Sequence, residues 1–137
     1  MEKIAPIEWN KSFEVGHPLI DSEHQELFDT VNDFMAAAGD VVDMDATRKA
    51  LNRARSYAEY HFEHEEQIMK RENYHRLSSH KALHANFMAA IKVYSDKFLY
   101  DRIDAGDFQF YLRNWIENHI LVYDMEFGVF LKNNRRK

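Results

Sequence analysis

Two pairs of residues in this sequence have the spacing of metal ligands on a helix. His61 and Glu65 read H-x-x-x-E, and His80 and His84 read H-x-x-x-H. Four steps of about 100° leave such a pair roughly 40° apart around the axis and about 6 Å apart along it, so both side chains share one face. His119 and Asp124 form a third pair, five apart. In a regular α-helix they would stand about 140° apart, too far for one narrow stripe. A π-bulge would reset the register and bring them together, but nothing in the sequence reveals one. His24 adds a fifth imidazole near the start of another helical segment.

These residues lie on stripes that should be apolar. Burying one unpaired polar group costs about 1–3 kcal/mol, and an ionised one more. Seven without a shared partner would consume most of a small domain's stability of about 5–15 kcal/mol. A buried cation resolves the conflict, because it neutralises the carboxylates and takes the imidazole lone pairs. The set exceeds what one tetrahedral zinc requires. It suits two five- or six-coordinate ions bridged by carboxylates. Imidazole and carboxylate without sulfur fit iron ahead of manganese or zinc. An unfilled coordination position could then accept a small molecule.

Other metal motifs fare worse. Glu-x-x-His spacings of the ferritin type occur at Glu14/His17 and Glu72/His75, but beside Gly16 and Pro18 or in an expected link, not inside a helix. The zinc-hydrolase string H-E-x-x-H is absent.

Four helices are needed to present the set. Four glycines and two prolines in 137 residues leave few breaks. Residues 1 to about 20 read as a non-helical arm, with Trp9 and Phe13 buried where it crosses the core. The first helix is expected over about 21–38, with Ser22 and Gln25 as a capping box and Gly39 as the stop. Its apolar residues Leu27, Phe28, Val31, Phe34 and Met35 follow helical spacing. The second is expected over about 45–71, capped by Asp43 or Asp45. The third is expected over about 76–100, and the fourth over about 107–130 after a break at Gly106. The polar tail is expected to fray. No sustained period-2 pattern appears. The expected fold is one all-α domain over 1–137: an antiparallel up-down-up-down four-helix bundle with an N-terminal non-helical arm.

Composition sets the boundaries. With 18 Lys and Arg against 23 Asp and Glu, the net charge is −5, poorly matched to a phosphate backbone. No cysteine is present, so disulfides, Cys-ligated metals and thiol nucleophiles are excluded. No apolar run approaches the roughly 18 residues of a membrane span, and the N-terminus lacks a signal-like apolar stretch. The expectation is a cytoplasmic protein without nucleic-acid binding or membrane insertion. A monomer is the expected assembly, and the sequence does not identify a protein partner.

Four strings, in order, carry a resemblance: Trp9 followed by GHPLIDSEHQELF from Gly16, HFEHEEQIM from His61, HKALH from His80, and WIENHILVYD from Trp115. Together they resemble the hemerythrin family, most closely its single-domain bacterial members, over nearly the whole chain. The resemblance implies two iron ions (Fe2+/Fe3+) joined by an oxo or hydroxo bridge. It makes His80, His84 and His119 ligands of a saturated iron. His24 and His61 become ligands of an iron with an open position, and Glu65 and Asp124 bridging carboxylates. Leu27, Phe62, Trp115, Ile116 and Ile120 would form the apolar wall over the open position. The implied function is reversible dioxygen binding for carriage, storage or local supply. No catalytic acid–base pair is evident, so a binding protein is expected, not an enzyme. A sensor acting through a separate partner, or a di-iron enzyme such as a nitric-oxide reductase or peroxidase, would use the same centre. Two departures from the family pattern are His17, where an apolar residue usually follows glycine, and His75, where proline often follows the tyrosine. No role is assigned to either. His64 is expected to be exposed or to sit behind the ligands.

Overall fold

The computed structural model describes residues 4–39, 44–101 and 105–135. Helices α1 (Pro18–Gly39), α2 (Met44–Arg71), α3 (Leu77–Asp101) and α4 (Ala105–Asn118) are followed by a π-helical segment (His119–Asp124) and α5 (Met125–Arg135). No strand occurs among the described residues. Helix α1 packs on α2, α2 on α3, α3 on α4, and α4 back on α1. With short links between successive helices, that cycle is a four-helix bundle of antiparallel neighbours. The last bundle member is α4, the π segment and α5 in succession.

Several ends differ from those expected. Helix α1 begins at Pro18, so Ser22 and Gln25 lie inside it and form no capping box at its start. Proline is favoured at the first helical position because its φ is already helical and its missing N–H has no partner there anyway. The residue before it caps the helix: His17 C=O accepts from Asp21 N–H at 2.9 Å, and His17 Nδ1 lies 3.4 Å from Ile20 N. Asp21 folds back to accept from the N–H groups of Val15 and Gly16. Gly16 has φ +93°, which favours glycine. Asp43 lies outside the described residues, and Asp45 sits in the first turn of α2. Gly106 lies within the first turn of α4 and does not precede it. The last helix runs on to Arg135, so Asn133 and Asn134 are helical.

The α2–α3 link is closed by Asn73 at φ 56°. Tyr74 N–H donates to Met69 C=O at 2.9 Å and Asn73 N–H to Lys70 C=O at 3.1 Å. These are the paired bonds of a helix end turned by a left-handed residue. The accompanying apolar contact places Tyr74 and Met69 in one buried cluster.

Among its described residues the arm contains one 3-10 turn, Lys11–Phe13. Phe13 is buried, whereas Trp9 is only half-buried, packed on Phe13 and Phe28. Asn32 of α1 grips the arm in both directions, accepting from Ile7 N–H and donating to Ile7 C=O. Arg113 Nε donates to Ala5 C=O at 2.8 Å. At the other end of the arm, a Cβ on Gly128 would lie 2.4 Å from Val15 O. Only glycine permits that approach.

Two apolar clusters fill the bundle. The larger includes Leu27, Phe28, Phe34, Leu51, Phe62, Phe87, Phe108 and Ile116. The smaller contains Val15, Ile20, Ile68, Met69, Tyr74, Phe127 and Leu131. Along the helices, His24, Glu65, His80, His84 and Asp124 fall between the two, and His61 and His119 sit at the edge of the larger.

Candidate metal centre

Each bundle member contributes to one point. Helix α1 supplies His24, α2 His61 and Glu65, α3 His80 and His84, and the π segment His119 and Asp124. All seven are buried. The π segment explains the last pair. Met125 N–H reaches back to Ile120 C=O, the i→i−5 bond of a π turn. That widened turn brings residues five apart onto one face, so His119 and Asp124 both point inward.

The donors form two nests that share both carboxylates. In one, Glu65 Oε1 lies 2.9 Å from His80 Nε2 and 3.4 Å from His84 Nε2. Asp124 Oδ1 lies 3.0 Å from His80 Nε2 and 3.2 Å from His119 Nε2. In the other, Glu65 Oε2 lies 3.0 Å from His61 Nε2 and 3.4 Å from His24 Nε2, and Asp124 Oδ2 lies 3.0 Å from His24 Nε2. Each carboxylate therefore presents one oxygen to each nest. Five residues can converge on one cation and four on a second, with Glu65 and Asp124 common to both.

These donors face a shared centre more than they face one another. His24 Nε2, His61 Nε2, Glu65 Oε2 and Asp124 Oδ1 are buried without a hydrogen-bond partner despite their short separations. His84 Nε2 and His119 Nε2 lie 3.1 Å apart, and at most one of the two can donate. Orphaned buried donors and acceptors are costly, and a pair of cations would satisfy them together. An N- and O-donor set without sulfur fits iron.

Proton affinities in the metal-free chain reflect the same crowding. Burial would push the carboxyls of Glu65 and Asp124 up, but the surrounding imidazoles hold both well below the usual carboxylate range. Burial disfavours the charged imidazoles, yet the carboxylates outweigh it. His61 is raised to about 10 and His80 to about 9, and His24 and His84 are also raised. A cation here replaces protons on nitrogen.

Two carboxylates lie behind the nests. His61 Nδ1–H donates to Glu23 at 2.9 Å, and His64 Nδ1–H donates to the other oxygen of Glu23 at 2.7 Å. His84 Nδ1–H donates to Glu66 at 2.8 Å. A proton fixed on Nδ1 leaves Nε2 free to face the centre. Burial opposes ionisation of Glu23, but its bonds from the two histidines bring its carboxyl below the ordinary value. Sequence reasoning missed Glu23. No signal in the sequence singled it out, because its partners His61 and His64 lie on another helix. His17 stays at the start of α1. His75 is exposed against Tyr74 and Phe130. Glu14 and Glu72 are exposed and stand apart from the cluster.

Leu27, Phe62, Trp115, Ile116 and Ile120 line one small cavity together with His24, His61, His119 and Asp124. A surface groove of about 810 Å³ runs along α4 beside Tyr94 of α3 and shares only Trp115 with that cavity. Rings pack flat on the imidazoles: Phe62 on His84 with centroids 3.9 Å apart, and Trp115 on His119 at 4.4 Å.

A helical bundle that surrounds two shared carboxylates with buried imidazoles defines a cation-binding protein built for two ions. Residues 15–130 match the family described as Hemerythrin HHE cation binding domain, and the chain belongs to the hemerythrin family. It is 29% identical to a myohemerythrin of Theromyzon tessulatum over 122 residues, covering 89% of this chain and 91% of that one. It is 28% identical to a bacteriohemerythrin of Clostridium acetobutylicum over 130 residues, covering 87% and 96%. A crystal structure of a hemerythrin point mutant superposes with TM-score 0.83 at 26% identity, covering 91% of this chain and 96% of that one. No helix among the described residues is long and apolar enough to cross a membrane.

Proposed function

We propose that this chain binds dioxygen reversibly at a non-haem di-iron centre, as a carrier, a store or a local supply. His80, His84 and His119 would hold one iron and His24 and His61 the other, with Glu65 and Asp124 offering an oxygen to each. The observation that carries this reading is the split of each bridging carboxylate, one oxygen toward each nest. Two ferrous ions, when bound, supply electrons to dioxygen and recover them on its release.

The protein's own work is binding and exclusion. The nest of three imidazoles offers five donors with the carboxylates, and the nest of two offers four. With one donor fewer, the second nest would leave the ligand its position on the ion. The side chains of Leu27, Phe62, Trp115, Ile116 and Ile120 keep the cavity dry. A dry wall disfavours charge separation, slowing the escape of reduced oxygen and favouring simple release. Within this reading the chain is a binding protein and not an enzyme, and its compartment is the cytoplasm.

The test is metal content per chain together with anaerobic and aerobic spectra. Two irons per chain, and a visible band that appears in air and vanishes on degassing, are expected. One iron or none in a folded sample, or a band that never reverses, overturns the reading.

A further inference from the structure

Glu23 is a buried carboxylate that faces away from the centre. It contributes no oxygen to either nest, yet both its oxygens are committed. Oε1 accepts from His61 Nδ1–H at 2.9 Å and Oε2 from His64 Nδ1–H at 2.7 Å. Its own exposure is 5%, while the His64 side chain is 32% exposed and lies under the Tyr60 ring at 4.1 Å. The other nest is supported differently. Glu66, which accepts from His84, is 23% exposed and has no second histidine on it.

The difference falls on the nest with fewer donors. With three imidazoles, loss of orientation at one ring leaves two others to hold the ion. With two, His61 is half of the nitrogen set. Its ring is free to spin or change tautomer unless Nδ1–H has a fixed acceptor. Glu23 also lines a groove of about 560 Å³ between α1 and α2, with Tyr57, Tyr60 and Arg53. A carboxylate held by only one imidazole could swing toward water in that groove, and the bond from His64 prevents it.

We propose that Glu23 is a positioning residue. Anchored by His64, its carboxylate fixes the His61 ring with Nε2 toward the two-imidazole nest, and so sets how tightly that nest holds its ion. This inference rests on the two-iron reading above and deepens it.

The experiment loads the full chain with two ferrous ions under anaerobic conditions and follows their release to a chelator. In Glu23→Ala one ion of the two is expected to leave about 10–100-fold faster than in the wild type, the other at the wild-type rate. Glu23→Gln, whose amide oxygen still accepts from His61, should recover most of the loss. Unchanged release of both ions, equal acceleration of both, or no recovery in Glu23→Gln overturns the proposal. Should Glu23→Ala fail to fold, His64→Ala decides: the same single ion must leave faster, and unchanged release overturns the proposal. A wild type that never holds two ions sinks the two-iron reading itself. Two firmly held ions, indifferent to Glu23, sink only this inference.

Discussion

The two nests share Glu65 and Asp124 but are supported in different ways. Around His84 and His119, aromatic rings lie flat against the imidazoles, and Phe87 backs Trp115 with centroids 3.8 Å apart. Around His24 and His61, the two rings meet edge-on at 4.6 Å, and the small cavity lies beside them. Packing rigidifies the donor-rich nest. Hydrogen bonding to Glu23 rigidifies the donor-poor one, where a stacked ring would fill the space a ligand needs. Under the proposed reading, one bundle holds similar donors for two purposes, one nest to enclose its ion and the other to leave a ligand's place.

The strongest way to break this contrast is to remove what the nests share. Glu65→Ala takes an oxygen from each, and metal analysis should find both ions lost. Retention of two irons with an unchanged spectrum would show that Glu65 bridges nothing. Single-nest changes should separate the two. His119→Ala should leave a protein with about one iron per chain or less. His24→Ala should keep the ion of the three-imidazole nest and lose the air-dependent band. If both variants behave alike, the nests are not distinct.

A gentler variant acts on the wall. Ile116 is 1% exposed, and its truncation to Ala should destabilise the fold by about 2–5 kcal/mol, read by denaturant titration. It should also quicken irreversible oxidation in air, since the dry cover is opened. An unchanged oxidation rate would remove Ile116 from the wall.

The smallest effect is on pH dependence. In the metal-free chain His61 rises to about 10 and His80 to about 9, from ordinary values of 6.5. The folded state then holds protons that the unfolded chain releases above pH 6.5, and stability falls where the native state binds more protons. The stabilisation is complete below pH 6.5 and is lost as pH rises toward 9–10. Thermal midpoints of the metal-free chain should decline by several degrees across that window. The loaded chain, with metal where those protons sat, should not decline. Parallel curves would show that metal and protons do not compete for these nitrogens.

Much of this was legible in the residues. His61 with Glu65 and His80 with His84 declared their faces, because four residues nearly complete a turn. The apolar stripe of α1, from Leu27 to Met35, is buried as its spacing required. His119 and Asp124 were ambiguous because a π turn is a backbone choice that no residue type announces. Glu23 was invisible for another reason. Its partners come from a second helix, and only the packing of α1 on α2 shows which acidic residue meets His61. The start of α1 misled because Ser22 and Gln25 imitate a capping box, while Pro18, read as a breaker, is the helix's first residue.

The seat at Gly128 has a consequence for how the protein is made. Val15 can settle only where the last helix offers it a bare backbone, and Gly128 follows all seven donors in the chain. During synthesis from the N-terminus, the arm emerges before the helices yet has no complete landing place until every donor has left the ribosome. The strap that finishes the fold is therefore obliged to wait for the whole metal-holding set.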